Sequence, residues 1–163
     1  MKARIFVAAT LTACCCQLTG CSSLEGLKNG AAITKVNKYH LDLSNDTKSS
    51  AADKLIRNER KRRLHGAITS DEEEAREGFY FTVFWKTENP SLPATVRLEY
   101  LLQSTNDTVH MQEVSIPGGR KSHVTEFSVV GDEYAEHGEV LAYRISVDQE
   151  DRTVADHQSY LWE

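Results

Sequence analysis

From Phe79 onward the chain alternates between apolar and polar residues in short runs, and each run is closed by turn-forming residues. Thr95 to Leu102 is the clearest: Val96, Leu98, Tyr100 and Leu102 share one face, Arg97 and Glu99 the other, and Leu101 is the one apolar exception. A period of two throws successive side chains to opposite faces of a strand. No helix can gather such a set into one stripe, so each run must bury one face against a second layer.

The remaining runs extend this pattern. Phe79-Tyr80-Phe81-Thr82-Val83-Phe84-Trp85 predicts a strand with Phe79, Phe81, Val83 and Trp85 on one side. Asn89-Pro90-Ser91-Leu92-Pro93 predicts a turn, because two prolines exclude a central strand. Thr108 to Ile116 is a weaker run in which Val109 and Met111 share one phase and Val114 and Ile116 the other, which predicts a bulge near Gln112 or Glu113. Ser122 to Val130 places Thr125, Phe127 and Val129 together; Glu139 to Val147 places Leu141, Tyr143, Ile145 and Val147 together. Thr153 to Trp162 is the last expected strand, with Val154, Tyr160 and Trp162 on one face. Between the fifth and sixth runs, Gly131 to Gly138 reads as an acidic loop holding Tyr134.

Upstream, Lys38 to Leu43 predicts a first strand with Tyr39, Leu41 and Leu43 opposed to Lys38, His40 and Asp42. The period then changes. Ser50 to His65 reads as one helix: Ser50-Ala51-Ala52-Asp53 resembles a capping start, Ala52, Leu55, Ile56 and Leu64 form a thin apolar stripe, and Gly66 suits the position after the C-cap. Seven strands with a helical insert after the first predict a mainly β fold, an antiparallel β-sandwich, as one domain over 33–163. Val83-x-Trp85, then Val96-x-Leu98-x-Tyr100, and Tyr143-x-Ile145-x-Val147 resemble a fibronectin type III or immunoglobulin-like module. An eight-stranded or transthyretin-like arrangement is the alternative.

The N-terminus carries a different signal. Lys2 and Arg4 precede an uncharged run from Ile5 to Gly20, with the form of a secretory leader. That run falls short of the roughly 20 residues a spanning helix needs. Leu18-Thr19-Gly20-Cys21 then resembles the lipobox of bacterial lipoproteins. The resemblance implies removal of residues 1–20 as a signal peptide, a diacylglyceryl group on Cys21 and a further acyl chain such as palmitate on its new amine. Two or three chains anchor stably where one holds only marginally. Ser22 and Ser23, in place of an aspartate, imply the periplasmic face of the outer membrane. Cys21 to Ala32 (with SSLEGLKNGAA after the cysteine) would then be a lipidated tether.

This reading changes what the composition means. Cys14, Cys15 and Cys16 leave with the leader and Cys21 carries lipid, so none of the four cysteines is left for a disulfide, a thiolate metal site or a nucleophile. Loss of Lys2 and Arg4 leaves 17 basic residues against 24 acidic, a net of −7, which argues against general nucleic-acid binding.

No catalytic constellation stands out. His40, His65, His110, His123, His137 and His157 form no short-range metal spacing. His110 and His123 flank the Pro117 turn and would meet if their strands formed a hairpin, and His157 sits beside Asp156; exposed strand histidines are the plainer reading. No G-x-S-x-G, P-loop or dinucleotide fingerprint is present, and Asp148-Gln149-Glu150-Asp151 reads as a hairpin turn rather than a calcium loop. No catalytic residue, cofactor or metal ligand is therefore assigned. Tyr134 and Tyr80 are the candidate binding residues, as aromatic contacts on a sandwich. The run Arg57-Asn58-Glu59-Arg60-Lys61-Arg62-Arg63 reads either as a site for anionic ligands or lipid headgroups, or as a solvated face neutralised by Asp71-Glu72-Glu73-Glu74. The expected function is a non-enzymatic envelope module that binds another envelope protein, with glycan binding as the alternative.

Overall fold

The computed structural model describes residues 30–44, 53–105 and 107–162. The leader, Cys21, the tether as far as residue 29 and the Ser50 helix start lie outside the described residues. The elements run β1 (Ala31–Leu41), α1 (Asp53–Leu64), α2 (Ser70–Glu74), β2 (Gly78–Thr87), β3 (Ala94–Leu102), β4 (His110–Ile116), β5 (Ser122–Val130), α3 (Asp132–His137), β6 (Val140–Gln149) and β7 (Arg152–Gln158). The strands form two antiparallel sheets. Sheet A has the order β1-β2-β5 and sheet B the order β4-β3-β6-β7.

The alternation seen in the sequence becomes the space between the sheets. Phe81, Val83 and Trp85 of β2 and Phe127 and Val129 of β5 face Val96, Leu98, Tyr100 and Leu102 of β3 and Ile145 and Val147 of β6 in one buried cluster. Each such side chain contributes about 1.5–3 kcal/mol when fully buried. Two side-chain hydrogen bonds cross this layer: Trp85 Nε1 donates to Thr125 Oγ1 at 3.1 Å, and Thr87 Oγ1 joins β2 to β6 through Gln149 Oε1 at 3.2 Å, while the buried Gln149 Nε2 has no hydrogen-bond partner among the described residues.

Several boundaries differ from expectation. β1 begins at Ala31, and Ala31 and Ala32 are buried, so the tether cannot extend to residue 32. The β3–β4 register is unbroken from Ala94↔Ile116 to Tyr100↔His110, and there is no bulge at Gln112 or Glu113. Val109 and Met111 lie outside the core, 53% and 57% exposed, and this outward pair produced the apparent change of phase. Register shifts fall instead at Ile33/Lys35, Leu101/Leu102 and Val147/Asp148. β7 stops at Gln158; Ser159 bonds both ways with Tyr143 and the chain turns, with the Trp162 amide on the Ser159 carbonyl at 3.1 Å, leaving Tyr160 97% exposed.

Two short helices were not expected. α2 follows from a capping box: Thr69 Oγ1 accepts from the Glu72 amide, and the Glu72 carboxylate accepts from the amides of Ile68 and Thr69. α3 occupies the segment expected to be a loop. It is bounded by Gly131 (φ +63°) and Gly138 (φ +77°), left-handed positions that a side chain would oppose.

The alternation of β1 leaves open which face is inner, and the sheet pairing decides it. Val36, Lys38 and His40 pair with Val83, Phe81 and Phe79, whose side chains fill the inter-sheet space, while Tyr39 lies opposite Tyr80 on the outer face beneath the helices. Lys38 closes the edge between the sheets, its ammonium 4.4 Å from the Phe79 ring centre and donating to the Val140 carbonyl at 3.0 Å. Burial lowers the Lys38 pKa, and Glu139 partly opposes that shift.

Candidate functional site

Tyr134 sits in α3 at the end of the sandwich. Its ring meets Phe79 edge-on at 5.9 Å and His40 at 5.6 Å, and its hydroxyl shares a 2.9 Å hydrogen bond with His40 Nε2. His40 in turn stacks on Phe79 at 4.2 Å. Burial, then the carboxylates of Glu77, Asp42 and Glu139, raises the Tyr134 pKa, so the phenol stays protonated at neutral pH. The ring is a partly buried lid on the core.

The same helix brings Glu133 to the far side of that end. Tyr100 Oη donates to Glu133 Oε1 at 2.5 Å and accepts from Gln112 Nε2 at 3.3 Å. His110 Nδ1 lies 3.6 Å from the same carboxylate oxygen, while His110 Nε2 is 2.8 Å from Thr105 Oγ1. His137, whose ring centre is 5.9 Å from that of His110, shares a 3.0 Å bond with Ser104 Oγ. Burial first, then the Glu133 contact, holds the Tyr100 phenol far above its ordinary pKa. Thr105, His110 and Glu133 thus have the order of a hydroxyl–base–carboxylate relay. The turn offers little to complete it: the Ser104 amide goes to the His137 carbonyl and the Thr105 amide to the Leu102 carbonyl, so neither is free for an oxyanion. The cluster clasps α3 to the β3–β4 turn.

The other histidines disperse. β4 and β5 belong to different sheets, so His110 and His123 do not face each other across a hairpin. His123 stacks on Trp85 at 4.4 Å and bonds the Arg120 carbonyl. His157 and Asp156, as neighbours on β7, take opposite faces. Among the described residues no group of three or more His, Cys, Asp or Glu is placed to hold a metal ion.

Tyr80 lies on the outer face of sheet A, but only 8% exposed, so it offers no open ring. Its hydroxyl donates to the Arg76 carbonyl at 2.6 Å, and the Arg63 guanidinium covers its ring at 4.2 Å. Arg62 and Arg63 bridge Glu59 of α1 to Glu126 of β5, which pins the helix to the sheet. Asp71 to Glu74 take no part in these pairs, and Glu72 is committed to its own helix cap, so the acidic run does not neutralise Arg62 or Arg63 as expected. Sequence inspection missed Glu126 because a pair 63 or 64 residues apart leaves no local signal. Beside the helix runs a groove of about 840 Å³, lined by Leu55 and Ile56 of α1, Val36 and Tyr39 of β1, Phe84 of β2 and Val124 of β5.

The outer face of sheet B carries rows of charge. Arg97 lies between Glu113 at 2.7 Å and Asp148 at 3.4 Å; Arg144 bonds Glu99 at 2.6 Å, with its guanidinium 5.4 Å from the Trp162 ring centre. At one end of this face a groove of about 810 Å³ is lined by Arg97, Glu113, Asp148, Glu150, Asp151 and Thr153, among others. Apolar side chains are exposed at β4, at the start of β6 and after β7: Val109, Met111, Leu141, Tyr160 and Leu161. No family model, curated protein or solved structure matches the chain.

Proposed function

We propose that this chain is an envelope lipoprotein, anchored through acylated Cys21 at the periplasmic face of the outer membrane, whose sandwich serves as a non-enzymatic protein-binding or assembly module. The anchor rests on Leu18-Thr19-Gly20-Cys21 behind a charged and then apolar leader. The binding role rests on one observation, the exposure of Val109, Met111, Leu141, Tyr160 and Leu161 on and beside sheet B. Exposed apolar side chains with a charged surround mark protein interfaces more often than open solvent surface, and a second exposed set, Leu55, Ile56 and Val124, lies on the sheet A side. A division into three and four antiparallel strands, with the chain crossing between sheets after β4, supports the fibronectin type III or immunoglobulin-like resemblance; the α1–α2 insert departs from it.

Crosslinking in intact membranes should recover a reproducible partner, and Met111→Glu combined with Leu161→Glu should abolish its recovery without lowering the protein's own abundance. Recovery that is absent, or unchanged in the double variant, overturns the binding role. Cys21→Ala should release the protein into the soluble periplasmic fraction; retention on membranes in high salt overturns the anchor. Glycan binding is the second reading, and the open ring that favours it is Tyr160, 97% exposed, rather than Tyr80 or Tyr134. Binding on a glycan array that is lost in Tyr160→Ala would select it.

A further inference from the structure

The outer face of sheet B and helix α1 carry opposite charge, although α2, in the same layer as α1, is acidic from Asp71 to Glu74. On sheet B, Glu99, Glu113, Asp148 and Asp156 stand against Arg97 and Arg144. Over sheet A, α1 alone has six cations against Asp53 and Glu59. Arg62 and Arg63 are bound to Glu59 and Glu126 and serve to hold the helix. Lys54, Arg57 and Lys61 are a separate set: at i, i+3 and i+7 they form one stripe along the helix, and all three are exposed. Lys35 and Lys86 are also exposed, close to the end of sheet A at which β1 begins. Leu55 and Ile56, in the first half of α1, share a groove with Phe84, the partner of Lys35, whereas Arg63 of the last turn covers Tyr80. The cationic stripe therefore starts over the Ala31 end of the sheet. Gly30 lies nine residues after Cys21, a separation of at most about 30 Å.

We propose that the Lys54–Arg57–Lys61 face of α1 docks on anionic phospholipid headgroups, so that a domain already tethered at Cys21 lies with sheet A toward the bilayer and sheet B toward its partner. The inference rests on the anchored-lipoprotein reading for its setting and on charge complementarity for its occupant. The tethered domain, with 17 basic residues against 24 acidic and a net charge of −7, is repelled by an anionic surface in most orientations. Presenting this stripe turns that repulsion into attraction, at about 1 kcal/mol for each cation near the surface. The short tether supplies a high local concentration, so a weak electrostatic contact is enough to set orientation.

The test uses the full chain as Cys21→Ala, which removes the acyl contribution, with vesicles of neutral phosphatidylcholine or of phosphatidylcholine containing phosphatidylglycerol. Binding should favour the anionic vesicles and collapse between roughly 50 and 500 mM salt as the screening length shortens. Substituting Gln for Lys54, Arg57 and Lys61 together should weaken binding to anionic vesicles about 100-fold. The apolar leader is common to both proteins, and an unchanged thermal melt shows that the variant folds. Equal binding to neutral and anionic vesicles, or undiminished binding by the triple variant, overturns the proposal, as does stripe-dependent binding to purified peptidoglycan with none to vesicles. Mass spectrometry of the wild-type protein reads acylation of Cys21 separately. An unmodified cysteine with stripe-dependent vesicle binding removes the anchor and leaves the docking face standing.

Discussion

The outer faces of the two sheets resemble each other in strand pattern and differ in what covers them. Sheet A has a helical layer: Tyr80 is buried beneath Arg63, and ion pairs from Glu126 hold α1 in place. Among the described residues no helix covers sheet B, and Arg97 and Arg144 are paired within the sheet itself. The comparison shows how an insert between two strands can change the chemistry of one face. Tyr80 is buried beneath the helix while Val124, Leu55 and Ile56 stay exposed beside it, and cations are carried outward on the helix. The uncovered face keeps its charge rows and leaves Met111 and Leu141 exposed.

The largest expected effect is common to both faces. Trp85→Ala should lower unfolding free energy by about 3–5 kcal/mol, because its indole, 1% exposed, packs between the sheets and leaves Thr125 Oγ1 without its donor. Urea unfolding followed at both faces should show one shared loss; a loss confined to one sheet would break the picture of a single core. Replacing Glu150-Asp151 by Asn-Gly should raise stability by about 1 kcal/mol, since both residues hold positive φ (51° and 58°) in a hairpin turn that favours Asn-Gly. That gain would belong to the sheet B side alone.

Tyr80→Phe removes the bond to the Arg76 carbonyl and should cost about 1 kcal/mol, with faster amide exchange in α1 and α2 and unchanged exchange in β3 and β4. Acid should act on the same layer. The Arg62 hydrogen bond, with help from Arg63 and against partial burial, holds the Glu59 carboxyl below its usual pKa. A depressed folded pKa contributes stability above the unfolded value, near about 4.3, and that stability is lost as pH falls through the lower folded value. Glu59→Gln should therefore flatten the acid limb of a stability profile; an unchanged limb would show that the pair contributes nothing. The smallest effect is expected at Arg97→Gln, under about 0.5 kcal/mol, because its ion pairs are partly exposed. A larger loss would mean that the charge rows on sheet B are structural, and the sharp contrast between the faces would weaken.

Much of the fold could be read from the sequence because it is written locally. β3 and β5 occupy nearly the spans their alternation predicts, and α1 ends close to its glycine. The missed α2 also had a local signal, since Thr69-x-x-Glu72 is a capping box. The end clasp was hidden for a different reason. Tyr100, His110 and Glu133 lie on three elements, and nothing near any one of them in the chain marks the other two. Tyr134 stood out as an aromatic between glycines, yet its partner His40 is 94 residues away.

By itself the sequence determined the kind of element at most positions, through side-chain period, capping residues and turn residues, all of which act within a few residues of the chain. It also supplied the leader and the Leu18–Cys21 motif on which the proposed anchor rests. Tertiary structure alone decided which layer each face meets. A period of two defines two faces of β1 but does not say which will lie between the sheets, and Lys38 and His40 took the inner one because Phe79, Val140 and Tyr134 offered them partners there. Tertiary structure also decided that Glu126, rather than the acidic run, neutralises Arg62 and Arg63. Charge pairs form according to distance in space, and the sheet brings Glu126 closer than the neighbouring sequence does.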